Sequence, residues 1–79
     1  MRILDVDKDC SLARVLMLLT RAEALELRGT LDHLLADPHN NHEHVSDETY
    51  QKEITIALYG QDIQNQFDER STRLVELDK

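Results

Sequence analysis

The sequence is poor in the residues that cross-link or bend small proteins. Its 79 residues include one cysteine, one proline, two glycines and no tryptophan. The single cysteine, Cys10, excludes an internal disulfide. Two glycines, Gly29 and Gly60, are too few for a glycine-rich phosphate-binding loop. A domain of this size buries only ~60% of the surface that its unfolded chain exposes, so self-association or a metal is expected to support it.

Long apolar runs are also missing. The longest, VLMLL at residues 15–19, is far shorter than the ~20 residues that span a bilayer. The opening stretch, MRILDVDKDC, carries Asp5 and lacks a signal-peptide pattern. Together with the single cysteine, these absences predict a soluble, cytoplasmic protein that forms one domain over residues 1–79.

Basic residues are outnumbered by acidic ones. Sixteen aspartates and glutamates against nine lysines and arginines give a net charge of −7 at pH 7. This charge repels phosphate backbones, so neither nucleic acid nor a membrane is an expected partner. An acidic surface suits a basic protein partner, because opposite charges steer the encounter, and it serves solubility equally well.

Two strands are predicted at the start of the chain. MRILDV fits a short first strand, with DKD as the turn after it. In SLARVLMLL, residues 11–19, apolar side chains occupy both alternate sets, which is typical of a strand covered on both faces. A buried helical segment is the alternative, because periodicity does not separate the two over so short a run.

A helix is predicted over residues 21–37. Thr20 and Glu23 have the spacing of a capping box, which satisfies two free amides at a helix start. Pro38 disfavours helical geometry in the residue before it and ends the helix. The predicted buried face follows the three- and four-residue spacing of an amphipathic helix and consists of Ala24, Leu27, Leu31, Leu34 and Leu35.

The opposite face of this helix is predicted to be an interaction face. It carries Ala22, Leu25, Gly29 and Ala36. Glycine costs ~1 kcal/mol relative to alanine inside a helix, and small side chains permit close approach of another element. The C-terminal segment and a second subunit are the two candidates for that element, and ordinary surface positions are the alternative.

Two templates compete for TYQKEITIALYG, residues 49–60. As a strand, it places Ile54, Ile56 and Leu58 on one face and has a β-branched Ile-Thr-Ile run. As a helix, it would begin after Ser46 as N-cap and end at Gly60. The strand accounts for every apolar residue, so we prefer it.

The order of elements predicts an α+β fold. A short C-terminal helix near residues 68–77 completes the order strand, strand, helix, strand, helix. The expected architecture is a small three-stranded, mostly antiparallel sheet with one long amphipathic helix packed on it. Open sheet edges and an apolar second strand call for cover by the C-terminal helix or by a twofold-related copy.

The stretch PHNNHEHVSDETY, residues 38–50, contains three of the four histidines. His39, His42 and His44 predict a possible zinc, nickel or copper site, because imidazole is the commonest metal ligand. A fourth ligand would come from His33, Asp37 or Glu43. The competing interpretation is a polar loop after a helix-ending proline, since no recognised metal-binding spacing is present.

Catalytic and calcium-binding patterns are weak. Asp5, Asp7 and Asp9 have the spacing of a calcium loop, but its required glycine and glutamate are replaced by Cys10 and Leu16. We interpret these aspartates as an acidic turn and Cys10 as a small, partly buried residue. No nucleophile motif is present, and no cofactor or enzyme activity is expected.

The sequence therefore predicts a small acidic protein-interaction module that is non-catalytic and forms a homodimer. Proteins of this size and charge include immunity proteins, antitoxins and small regulatory subunits, an analogy that rests on size and charge. The alternative is a divalent-metal-binding or metal-sensing module that uses His39, His42 and His44.

Overall fold

Two hairpins and two helices make up the described part of the chain. The computed structural model describes residues 1–37, 42–60 and 67–79. Within these ranges, β1 (Leu4–Asp5) and β2 (Cys10–Ser11) precede α1 (Arg21–Ala36), and β3 (Glu43–Ser46) and β4 (Glu53–Ile56) precede α2 (Glu69–Leu77). The α+β class is confirmed. The described strands form two separate two-stranded antiparallel sheets, β1-β2 and β3-β4, so the predicted three-stranded sheet is not observed.

The predicted second strand over residues 11–19 is wrong beyond its first residue. Pairing stops after Ser11, apart from one hydrogen bond from the Leu12 amide to the Ile3 carbonyl at 2.8 Å. Residues 13–20 belong to no helix or strand and are all exposed. A strand that is apolar on both faces needs cover on both faces. The described elements of the chain do not provide that cover.

Helix α1 starts as predicted but buries a different face. The Glu23 amide donates to Thr20 Oγ1 at 3.2 Å and the Thr20 amide donates to Glu23 Oε1 at 2.8 Å, which confirms the capping box. Leu34 is 1% exposed and Thr30 is 7% exposed. Leu27 is half-buried, whereas the predicted core residues Ala24, Leu31 and Leu35 are exposed.

Thr30 explains why the buried face of α1 is rotated. Its hydroxyl donates to the Glu26 carbonyl at 2.8 Å, so the polar side chain can be buried without an unsatisfied group. The row Leu27, Thr30 and Leu34 therefore becomes the inner face of α1, which packs on β3. An apolar pattern alone does not identify a buried threonine whose hydroxyl forms a hydrogen bond with the backbone of its own helix.

The strand interpretation is correct for residues 53–56 of TYQKEITIALYG. Residues 47–52 instead form the turn of the hairpin, in which the Tyr50 amide donates to the Asp47 carbonyl at 3.1 Å and Tyr50 has a positive φ of 56°. In the β3-β4 register, Val45 lies opposite Ile54 and His44 opposite Thr55. Val45 is 3% exposed and carries the strand face that meets α1. The sequence interpretation missed β3, because its polar residues resemble a loop.

Helix α2 forms as predicted and contacts the N-terminal hairpin. Asp68 is its N-cap and accepts a hydrogen bond from the Ser71 amide at 2.7 Å. Leu74 and Val75 are each 9% exposed. Arg2 Nε donates to the Val75 carbonyl at 3.2 Å, and Ser11 Oγ donates to the Asp78 carbonyl at 3.0 Å. These bonds hold the two ends of the chain together.

Candidate protein-interaction surface

Five consecutive large apolar residues lie on the surface. This apolar segment, residues 15–19, follows the first hairpin and precedes α1. Its side chains are exposed by 56% at Val15, 82% at Leu16, 47% at Met17, 87% at Leu18 and 37% at Leu19. The alternation has a period of two, as in a strand that turns one face outward. Leu16 and Leu18 form the outward face of the segment.

The backbone around the apolar segment is unpaired. The last hydrogen bond of the first hairpin is donated by the Leu12 amide, and the next one along the chain is donated by the Ala24 amide to the Thr20 carbonyl at 2.9 Å. Between them, residues 13–19 make no backbone hydrogen bond with any described residue. A run of free amide and carbonyl groups beside apolar side chains is a template for pairing with another strand.

The outer face of α1 adjoins the apolar segment. The predicted interaction residues Ala22, Leu25 and Ala36 are exposed, and Leu25 retains 46% of its accessible surface. Gly29 is half-buried, yet a Cβ built on it meets no atom within 4 Å. The helix therefore keeps open space on this side, where another backbone could approach.

An acidic groove runs between the start of α1 and the second hairpin. Its volume is about 260 Å³, and four carboxylates, from Glu23, Glu26, Asp47 and Glu48, line it together with Ala22, His44, Ser46 and Tyr50. Glu23 is engaged in the capping box and Asp47 in the hairpin turn. Glu26 and Glu48 form no ion pair with a described residue, so their charge faces solvent at the rim of this groove.

Asp47 keeps its negative charge because the hairpin turn surrounds it with donors. The backbone amide of Lys52 is the main cause of a lowered pKa for this carboxyl group, and the Thr49 hydroxyl and the Gln51 amide add to it. Oδ1 accepts from the Gln51 amide at 2.8 Å and from the Lys52 amide at 3.2 Å. The carboxylate thus holds the turn that places Tyr50 and Glu48 beside the groove.

We expect this turn to lose stability in acid. The folded pKa of Asp47 lies below its unfolded value, so its contribution is present above about pH 4 and is lost as the pH falls through the folded pKa. Asp47→Asn keeps one acceptor oxygen and does not titrate. Urea unfolding between neutral and acidic pH should show a flatter pH profile for the variant. Identical slopes in the two proteins would contradict the role of the charge.

Two of the three histidines of the predicted metal site lie close together. The His42 and His44 rings lie edge to face with centroids 4.7 Å apart, so they share one side of the chain. His44 Nδ1 is in contact with Glu53 Oε1 and lies 2.9 Å from Thr55 Oγ1. His33 Nδ1 lies 3.9 Å from Glu43 Oε1. No group of three potential ligands comes together among the described residues, and His39 lies outside them.

Metal binding therefore stays a prediction. We expect a chelator to leave the melting temperature of untagged protein unchanged, because no group of three potential ligands comes together among the described residues. Thermal melts with and without chelator measure this directly. A chelator that lowers the melting temperature of the wild type, but not that of His42→Ala, would support the metal-site hypothesis.

The contacts of His44 do not form a catalytic relay. In a serine- or threonine-based triad, the nucleophile and the carboxylate bind opposite nitrogens of the imidazole. Here both Thr55 Oγ1 and Glu53 Oε1 approach the same nitrogen, Nδ1. The imidazole consequently cannot pass a proton from the hydroxyl while the carboxylate orients its other side. This cluster is a cross-strand polar contact on the hairpin.

The aspartates that have the spacing of a calcium loop do not act together. Asp5 Oδ1 accepts from the Lys8 amide at 3.0 Å, as expected for an acidic turn. Asp9, which has a positive φ of 55°, pairs with Arg70 Nε on α2. The hydrogen bond and the charge of Arg70 lower the pKa of Asp9. Cys10 is exposed, so the prediction that it is partly buried is wrong.

Arg70 is a residue that sequence analysis did not identify. Its Nε binds Asp9, while Nη1 and Nη2 are buried and have no hydrogen-bond partner among the described residues. The two residues are 61 positions apart, and no local pattern predicts such a long-range pair. The contact joins α2 to the first hairpin.

Comparison with known proteins adds no assignment. No protein-family model, curated protein or solved structure matches the chain. Neither described helix combines the length and apolarity needed to cross a membrane. The features of the described residues that bear on function are the apolar segment, the outer face of α1 and the acidic groove.

Proposed function

We propose that this chain is a non-catalytic protein-interaction module that docks through its apolar segment and the outer face of α1. The observation that carries the proposal is the exposure of five consecutive large apolar residues whose backbone is unpaired among the described residues. Contiguous apolar patches on protein surfaces mark interaction sites. In water alone, such a segment would be an aggregation liability.

Burial of this segment offers a substantial driving force. Each large aliphatic side chain contributes about 1.5–3 kcal/mol when it moves fully from water into an apolar contact. Leu16 and Leu18 are 82% and 87% exposed, so each would gain nearly all of this free energy on burial. Association costs several kcal/mol of lost freedom, so the two leucines need the neighbouring apolar residues to give a stable complex.

The charge of the protein favours a role in recognition. A net charge of −7 repels copies of the protein over long distances, which keeps it dispersed until a complementary surface is found. The acidic groove beside Ala22 suits a basic side chain on the bound protein. This combination fits a cytoplasmic regulatory subunit, or a protein of the immunity or antitoxin kind, and it needs no cofactor.

Site-directed photo-cross-linking in cells tests the proposal. A benzophenone amino acid in place of Leu16 should form a covalent adduct with another polypeptide, because Leu16 lies on the outward face of the segment. The matched control replaces Val6, which is 76% exposed in the turn of the first hairpin. Adducts at position 16 and not at position 6 are expected. Equal or no adducts at the two positions would overturn the proposal.

A further inference from the structure

We infer that the polypeptide covering the apolar segment is a second copy of this chain, paired with it in a twofold-symmetric dimer. The inference rests on the proposed function and goes beyond it by naming the partner. Three features of the molecule support it: the small core of the described residues, the pattern of the segment itself, and the charges that flank the segment.

The described residues form a small core. Only four large apolar residues are buried among the described ones: Leu34, Val45, Leu74 and Val75. A second copy supplies the missing cover without any other component.

The apolar segment is complementary to itself. Antiparallel pairing about a twofold axis at Met17 places Leu16 opposite Leu18 of the second copy and Val15 opposite Leu19 of the second copy. Arg14 then lies opposite Thr20, so no like charges face each other. The pairing satisfies the backbone amide and carbonyl groups of alternate residues in the segment, while those of the residues between them point away from the partner strand. The outer face of α1, which begins one turn further along, extends the same interface.

The flanking charges match a surface that each copy already has. Arg14 and Arg21 border the segment, are exposed, and form no ion pair with a described residue. The acidic groove, which Glu26 and Glu48 line, also includes Ala22 of the outer face of α1. The arginines of one copy can thus approach the groove of the other, which offsets the repulsion between two acidic chains.

Sedimentation equilibrium over a range of concentrations tests the dimer. The wild type should have twice the 9.2 kDa mass of the chain. Leu16→Asp together with Leu18→Asp should weaken association about a thousandfold or more, because each copy would bring two negative charges to the centre of the interface, opposite those of the other copy. The control Val6→Asp adds a charge at a similarly exposed apolar site and should remain dimeric. Circular dichroism checks that all three proteins are folded.

A charge exchange gives a second, independent measurement. Variant one carries Arg14→Glu and Arg21→Glu, and variant two carries Glu26→Lys and Glu48→Lys. Each should associate at least about tenfold more weakly than wild type by itself, because like charges then meet at the interface. An equimolar mixture should restore wild-type affinity as a heterodimer, since each segment then meets a groove of opposite charge. Glu23 is left unchanged because it caps α1.

The outcomes separate this inference from the proposed function. A monomer at all concentrations, or a dimer that survives both the leucine and the charge variants, overturns the inference. If the cross-link at position 16 then joins the chain to a different protein, the interaction module stands and the second copy does not. If the cross-linked product has twice the mass of the chain, both stand.

Discussion

Replacement of Leu34 by alanine is expected to lower the free energy of unfolding by about 3 kcal/mol, within the 2–5 kcal/mol range for a buried leucine. Leu34 is 1% exposed and is the largest fully buried side chain among the described residues. It lies on the face of α1 that packs on β3. A domain this small has few other buried contacts to compensate for the cavity.

The neighbouring leucine provides the matched control for this loss. Leu35 is 68% exposed, and Leu35→Ala removes the same atoms from the adjacent position of the same helix. Its expected effect is within about 0.5 kcal/mol, as for surface substitutions in general. Urea unfolding of the two variants at one protein concentration measures both values. Comparable losses would mean that the predicted helix face, which includes Leu35, is the buried one after all.

Thermal stability is expected to depend on protein concentration, and this is the second large effect. Association of two copies stabilises only the folded chain. Dilution weakens this stabilisation and therefore lowers the melting temperature. With the usual unfolding entropy per residue, the shift is about 4 °C for each tenfold change in concentration. Calorimetry or circular dichroism melts over a hundredfold range should therefore span about 8 °C.

Two substitutions should abolish this dependence. Leu16→Asp together with Leu18→Asp places charges in the segment without touching Leu34 or Val45 in the core. The double variant is expected to melt at one temperature at every concentration, close to the value that wild type approaches on dilution. A wild-type melting temperature that does not vary with concentration would contradict self-association.

Local signals were the part of the fold that sequence could predict. The capping box of Thr20 and Glu23 needs only residues three positions apart, and both of its hydrogen bonds form. Helix α2 also forms within the predicted range 68–77, and the Asp68 side chain at its start accepts a hydrogen bond from the Ser71 amide. Such hydrogen bonds are satisfied within one turn of helix, so they do not depend on how the chain packs.

The sequence could not predict which segments are buried by residues that are distant in the chain. Residues 11–19 have the composition of a doubly covered strand, but no described element covers residues 13–19. The same limitation applies to Thr30, whose burial depends on β3 as well as on its own hydrogen bond. The outer face with Leu25 and Gly29 was identified from helix geometry, whereas the acidic groove required the position of the second hairpin.

Hydrogen exchange at the amides of residues 13–19 tests the central claim most directly. In the monomer these amides have no partner among the described residues and exchange within the time of mixing. At a concentration where sedimentation shows the dimer, pairing of the two segments should strongly slow exchange at alternate amides of this stretch, while the Leu16→Asp and Leu18→Asp double variant remains unprotected. Fast exchange at every amide of residues 13–19 in the wild-type dimer would contradict the account, because it would place the interface elsewhere.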